Sequence, residues 1–237
     1  MKRFYKRTGI VPMAGGHGVT LDGRLVKTPG KRDLVVPSLA LAAAMAAEWE
    51  TQQGDIRRET MPLTRLAGVT IDRNSTERAA VVRQVADYAE TDLVCYRANH
   101  PLALAVRQHA VWQPLIDWAS ERYDAPLVVT NGVIPTGQPV ASIAAFAAAV
   151  AAHDDFALTA LHAATAACGS LVIALALLEG RLDAGEAFAA SQLDESFQIE
   201  AWGEDGEQAK RRAALAAEIA AAALFASLLR GCDGFKA

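Results

Sequence analysis

The chain has 237 residues, 52% of them hydrophobic and 21% charged, with a formal net charge of −4. That composition excludes a disordered chain, and the acidic balance argues against a general nucleic-acid binder. Fifty alanines and only 6% aromatic residues tilt it toward helix and away from an all-β barrel or sandwich.

The charge is unevenly placed. Residues 1–32 hold eight Lys or Arg against one acid, Asp22, so the rest of the chain carries −11. A solvated basic face accounts for this, and so does a positive patch that orients a protein partner. Met1-Lys2-Arg3-Phe4-Tyr5-Lys6 is not followed by the apolar run of a signal peptide, nor does it open a Ser-rich transit segment. The expected location is a bacterial cytoplasm, or a mitochondrial matrix if the chain is eukaryotic.

Residues 3–36 read as short strands and turns. Val19, Leu21, Leu25 and Val26 flank Asp22-Gly23, a two-residue hairpin signal because both positions tolerate positive φ. The glycines here match neither dinucleotide nor phosphate-loop spacing, so turn roles are expected. Pro37-Ser38 opens a helix with Ser38 as N-cap and Leu41, Met45 and Trp49 as its apolar stripe, ending at Gly54. Residues 56–72 read as extended or looped around Met61-Pro62. Asn74 and Glu77 have capping-box spacing for a helix whose inner face is Val81, Val82, Val85, Tyr88 and Ala89.

A helix is predicted from Leu102 to Tyr123, kinked or divided at Pro114. Asn131-Gly132 marks a small hairpin or a linker, and Pro139–Ala152 another helix. Phe156 to Leu178 has no acidic or basic side chain apart from His162, long enough to test as a membrane span. It lacks flanking Lys/Arg clusters and aromatic belts, so a buried central helix is expected and no stable membrane insertion. Asp183 and Glu186 cap a helix through Leu193 and Phe197, and a last one runs from Glu207 to Leu229. The fold class is α+β: a small β-rich N-terminal domain, residues 1–60, then a multihelical domain, residues 61–237.

Chemistry is hard to find. Cys95, Cys168 and Cys232 are widely spaced, and the five histidines show no i, i+4 pair, so neither a disulfide framework, a metal site nor a cofactor is indicated. GxSxG is absent, and no catalytic residue stands out. Between 194 and 207, Asp194, Glu195, Glu200, Glu204, Asp205 and Glu207 occur without a base, with Phe197 and Trp202 among them. This fits an ordinary amphipathic helix end, with acids in water and aromatics in the core. It also fits a protein-binding anchor with a polar rim. A small-molecule enzyme using carboxylates such as Glu195 and Glu200, or a peripheral membrane protein using the basic strands, are further alternatives.

Several segments, in order, resemble a known family: Arg3-Phe4-Tyr5-Lys6; Leu21-Asp22-Gly23-Arg24 with Lys27-Thr28-Pro29; Glu48-Trp49; Met61-Pro62-Leu63-Thr64; Thr91-Asp92-Leu93-Val94-Cys95-Tyr96-Arg97; Trp118-Ala119 with Arg122-Tyr123; and Phe197-Gln198-Ile199-Glu200 with Trp202-Gly203. They are similar to the assembly chaperones that bind the alpha subunit of the ATP synthase catalytic sector, the Atp-twelve family. The resemblance implies a β domain followed by a helical bundle, and a non-enzymatic chaperone without cofactor. Its implied client is the ATP synthase alpha subunit, whose beta-contacting surface it masks. The implied partner-binding residues are Asp194, Glu195, Phe197, Gln198, Glu200 and Trp202, with Trp49 and Asp92 as secondary positions. Ser196 and Ala201 stand where the family usually has a third acid and a basic residue. These departures weaken the case for a dense acid cluster and leave Glu195 as the residue singled out.

Overall fold

The computed structural model describes residues 1–132 and 134–230, and the side chains of these except 74–76. The fold is α+β, with a small N-terminal sheet followed by helices. Two compact units are present. The first comprises residues 1–78, 155–160 and 224–230 among those described, and the second residues 79–154 and 161–223.

In the first unit, β1 (Thr8–Met13) and β2 (Gly16–Leu21) pair antiparallel, Thr8 opposite Leu21. β2 also pairs with β3 (Arg24–Leu25) and β4 (Val35–Val36). The expected hairpin turn is present: Asp22 and Gly23 both have positive φ, 49° and 80°. At Gly16 a side chain is excluded outright, since a Cβ would lie 2.1 Å from the Val36 carbonyl oxygen. Helix α1 (Leu39–Glu50) packs on β1 and β2 through buried Leu41, Ala42, Met45 and Ala46, and Ser38 caps it by accepting from the Leu41 N–H.

Three expectations for this unit change. Helix α1 stops at Glu50, four residues before Gly54, and Trp49 is only half-buried. The 56–72 segment is helical rather than looped: a 3-10 turn at Arg58–Thr60, helix α2 (Pro62–Val69) and a π turn at Thr70–Asn74. Pro62 sits in the first turn, where its missing N–H costs nothing. The Glu48 carboxylate accepts from the next two N–H groups, those of Leu63 (2.7 Å) and Thr64 (2.8 Å). α3 (Ser75–Ala86) follows, and the expected Asn74 side-chain cap lies outside the described residues. The unit is closed by Phe156 stacked on Phe225 at 6.3 Å, and by Ser38 donating to the Leu228 carbonyl.

The second unit is built around α7 (Leu171–Leu178), all eight of whose residues are buried. A helix apolar on every side belongs at the centre of a bundle. The predicted uncharged helix is therefore central, but it is two helices: α6 (Asp155–Cys168) ends at Gly169, φ 66°, and Ser170 caps α7. Against α7 lie the 3-10 turn Asp87–Thr91, α4 (Leu102–Tyr123) and α8 (Ala184–Ser191), and α5 (Val140–Ala151) packs on that turn and on α4. α4 continues undivided through Pro114. Thr130-Asn131 forms no hairpin with the residues described. It pairs in parallel with Tyr96-Arg97, and Val133 lies outside the described residues. The Asp183–Glu186 capping box is complete, but the helix it opens ends at Gln192. A separate α9 (Leu193–Trp202) follows, then α10 (Gly206–Arg230). By length and composition α10 is the one described helix apolar enough to cross a membrane.

Candidate functional site

Helix α9 lies along α4, and the bonds between them fix its direction. Buried Trp112 donates its indole N–H to the Ala190 carbonyl at 2.8 Å, just before α9 begins. Gln108, also buried, donates to the Asp194 carboxylate at 2.8 Å and accepts from the Ala98 N–H at 2.7 Å. Arg107 makes a two-pronged bond to Glu200, at 2.6 and 2.9 Å, and its guanidinium covers the Phe197 ring at 5.3 Å. Rising numbers on α9 therefore meet falling numbers on α4. The C-terminal end of α9, with Trp202, is directed toward the start of α4.

The acids of this segment are mostly engaged by their own chain. Glu195 accepts from Gln208 at 2.7 Å, Glu204 pairs with Arg212 at 3.2 Å, and Asp205 caps α10 by accepting from the Glu207 and Gln208 N–H groups. The Arg107 bond holds the Glu200 carboxyl below its ordinary range and raises Arg107. A general acid needs the opposite shift, so the geometry does not favour a Glu195/Glu200 acid–base pair. Among the described residues no group of three or more His, Cys, Asp or Glu gathers as for a metal.

The aromatics behave differently from one another. Phe197 is half-buried beneath Arg107, whereas Trp202 is 80% exposed, held at the helix end by Gly203, φ 85°. Gln198 is exposed on the same helix. On α4, Leu102 and Val106, one turn apart, are 73% and 60% exposed. These two were not found from the sequence, although a signal existed. The core stripe of α4 is Leu104, Gln108, Trp112, Leu115, Ile116 and Ala119, and at 3.6 residues per turn Leu102 and Val106 fall off it. Further along α4 a cleft of about 440 Å³ is walled by Val111, Leu115, Leu182, Ala190 and Leu193, with Arg107, Glu186 and Ser196 at its polar edge. α9 and α4 thus each leave large apolar side chains exposed, Trp202 on one and Leu102 and Val106 on the other, while the carboxylates of α9 are already paired. Such charges cost less to cover than free ones.

The two secondary positions lie elsewhere. Trp49 is in the first unit, edge-on to Tyr5 at 5.8 Å, with the Tyr5 hydroxyl donating to its carbonyl. Asp92 is wholly buried in the second unit, out of reach of a protein docked on the surface.

The family model for the ATP12 chaperone protein matches residues 2–120. The crystal structure of Atp12 from Paracoccus denitrificans is 43% identical, with a TM-score of 0.92 over 97% of this chain and 98% of that one. The chain belongs to the ATP12 chaperone family. A point mutant of P. denitrificans Atp12p matches at 42% identity and the same coverage, with a TM-score of 0.92. The mitochondrial protein atp12 of Schizosaccharomyces pombe is 23% identical over 214 residues, 85% of this chain and 74% of that protein. An ATP12-family chaperone serves ATP synthase assembly, and its relatives here are bacterial and mitochondrial. The family model ends within α4, so likeness at α9 rests on the solved structures.

Proposed function

We propose that this ATP12-family chaperone holds the free alpha subunit of the ATP synthase catalytic sector and masks the surface that later meets the beta subunit. The observation that carries the reading is the pairing of α4 with α9: Trp202, Leu102 and Val106 stand exposed on these two helices, with Glu200 held by Arg107 between them and Glu195 held by Gln208 of α10. An exposed tryptophan within a rim of satisfied polar groups is the composition of a binding hot spot. An unpartnered subunit exposes apolar interface that aggregates, and covering it stoichiometrically needs no turnover. Binding without catalysis, in a bacterial cytoplasm or a mitochondrial matrix, completes the reading.

The test is co-purification of the tagged chain with separately expressed alpha and beta subunits. Alpha alone is expected to be retained, and released when beta is added; retention of neither subunit overturns the reading. Glu195→Lys reverses a charge on this face and breaks the Gln208 bond, so it should weaken retention while the far-UV spectrum stays unchanged. Wild-type affinity in that variant removes Glu195 from the site.

A further inference from the structure

We propose that the β2–β3 turn carries a second docking surface, for an acidic segment of a protein partner, formed by Lys6, Arg7 and Arg24 beside Phe4. It lies in the first unit and stands without the client assigned above. Three bonds gather the cations. The Asp22 carboxylate accepts from the Lys6 N–H at 3.1 Å and the Arg7 N–H at 2.9 Å, and the Asp22 N–H donates to the Arg7 carbonyl at 2.9 Å. Arg24 enters β3 directly after the turn, opposite Leu21. The backbones of all three are thus fixed to one turn, while their side chains are exposed. Among the described residues no ion pair within 4 Å holds any of them.

Arg3 makes a useful contrast. Its guanidinium is used up on the Tyr5, Glu50 and Gln52 carbonyls and the Glu50 carboxylate. Three exposed cations against the single Asp22 carboxylate, on which Lys6 and Arg7 act, leave a local excess of positive charge in a chain of net charge −4, which suits a carboxylate-rich partner. The guanidiniums of Arg7 and Arg24 match carboxylates two-pronged, and Phe4, 65% exposed, offers an apolar contact. Asp22 and Glu50 interrupt the positive surface, so a flat, uniformly anionic lipid surface meets both acids, whereas an extended segment can place its carboxylates on the cations alone.

The test uses a Glu/Asp-rich peptide of about 15 residues, titrated into the isotope-labelled full chain at low salt. Amide shifts are expected at residues 5–8 and 22–24, and these should disappear in K6E/R7E/R24E. The charge-neutral K6Q/R7Q/R24Q is read in the same way should charge reversal unfold the chain. Association with the alpha subunit is expected to slow about tenfold in either variant at low salt, with a flattened salt dependence. Shifts elsewhere, no shifts, or wild-type binding to phosphatidylglycerol vesicles in preference to the peptide overturn the proposal. Peptide docking at the turn with no ATP synthase subunit retained leaves this surface standing and removes the client reading alone.

Discussion

The carboxylate of Asp92 accepts from the Val94 N–H at 3.2 Å and the Val172 N–H at 3.1 Å, tying the 3-10 turn at Leu93–Cys95 to the start of α7. Burial is the dominant influence on it and raises its pKa from 3.8 to about 6, against the opposing hydrogen bonds from Ser170 and the backbone. The folded state therefore holds this proton more tightly than the unfolded chain. The stabilisation is complete below about 3.8 and is lost as pH rises through 6, roughly 3 kcal/mol in all. In Asp92→Asn that dependence vanishes, and one N–H loses its acceptor. The variant should be less stable than wild type by urea unfolding, with the gap widening between pH 7 and pH 4. A constant gap contradicts the assignment. Trp202 behaves oppositely: its exposed ring contributes little to the fold, so Trp202→Ala should leave Tm unchanged while weakening client binding by about 2 kcal/mol, roughly 30-fold. Trp49 lies between these cases. Half-buried, its removal should cost less than the 3–5 kcal/mol of a fully buried ring, and calorimetry of Trp49→Ala checks this.

Elements show where sequence reasoning reached and where it stopped. Helices with a clear stripe or cap, α1, α4, α5 and the start of α8, were legible because periodicity and capping are local. The 62–69 helix was not. Its N-terminal donors are satisfied by Glu48, fourteen residues before Pro62, and no window shows such a cap. Two of the segments that carried the family resemblance, Glu48-Trp49 and Met61-Pro62-Leu63-Thr64, are thus joined by one carboxylate. Thr28, whose hydroxyl donates to Asp72, and Arg122 and Tyr123, which both bind Glu179, are likewise held by carboxylates distant in sequence, though these lie outside the resembling segments. The α6–α7 break was missed for another reason: Gly169-Ser170 is a local stop and N-cap signal, but the uncharged run on both sides of it reads as one continuous apolar helix. At Gly169 an added Cβ meets no atom within 4 Å, so Gly169→Ala costs only the left-handed strain, about 1–2 kcal/mol. A shift in urea midpoint of that size without a change in slope is expected. At α9 the acids and aromatics were legible as a segment, but their division into paired carboxylates and an exposed tryptophan depends on Arg107 and Gln208, which lie on other helices.

At the scale of the whole molecule, the first unit draws on three separated stretches of chain. Thr70 bonds Thr159 at 2.8 Å, Arg78 pairs with Asp155 at 2.5 Å, and Phe225 is fully buried against Phe156. Phe225→Ala should therefore cost about 3–5 kcal/mol, and the loss should register as faster hydrogen exchange in β1, β2 and α1, far away in sequence. Exchange unchanged in those elements would place Phe225 outside this unit's core. The discontinuity has a consequence for biosynthesis. A ribosome adding about 5–20 residues per second finishes the sheet and α1 early, then takes on the order of 10 s to deliver Phe225. Throughout that interval Ser38, at the head of α1, lacks the Leu228 carbonyl, and Phe156, once made, lacks Phe225. An ATP synthase assembly chaperone thus passes through synthesis with an unfinished surface of its own, sealed only once the C-terminal turns of α10 emerge.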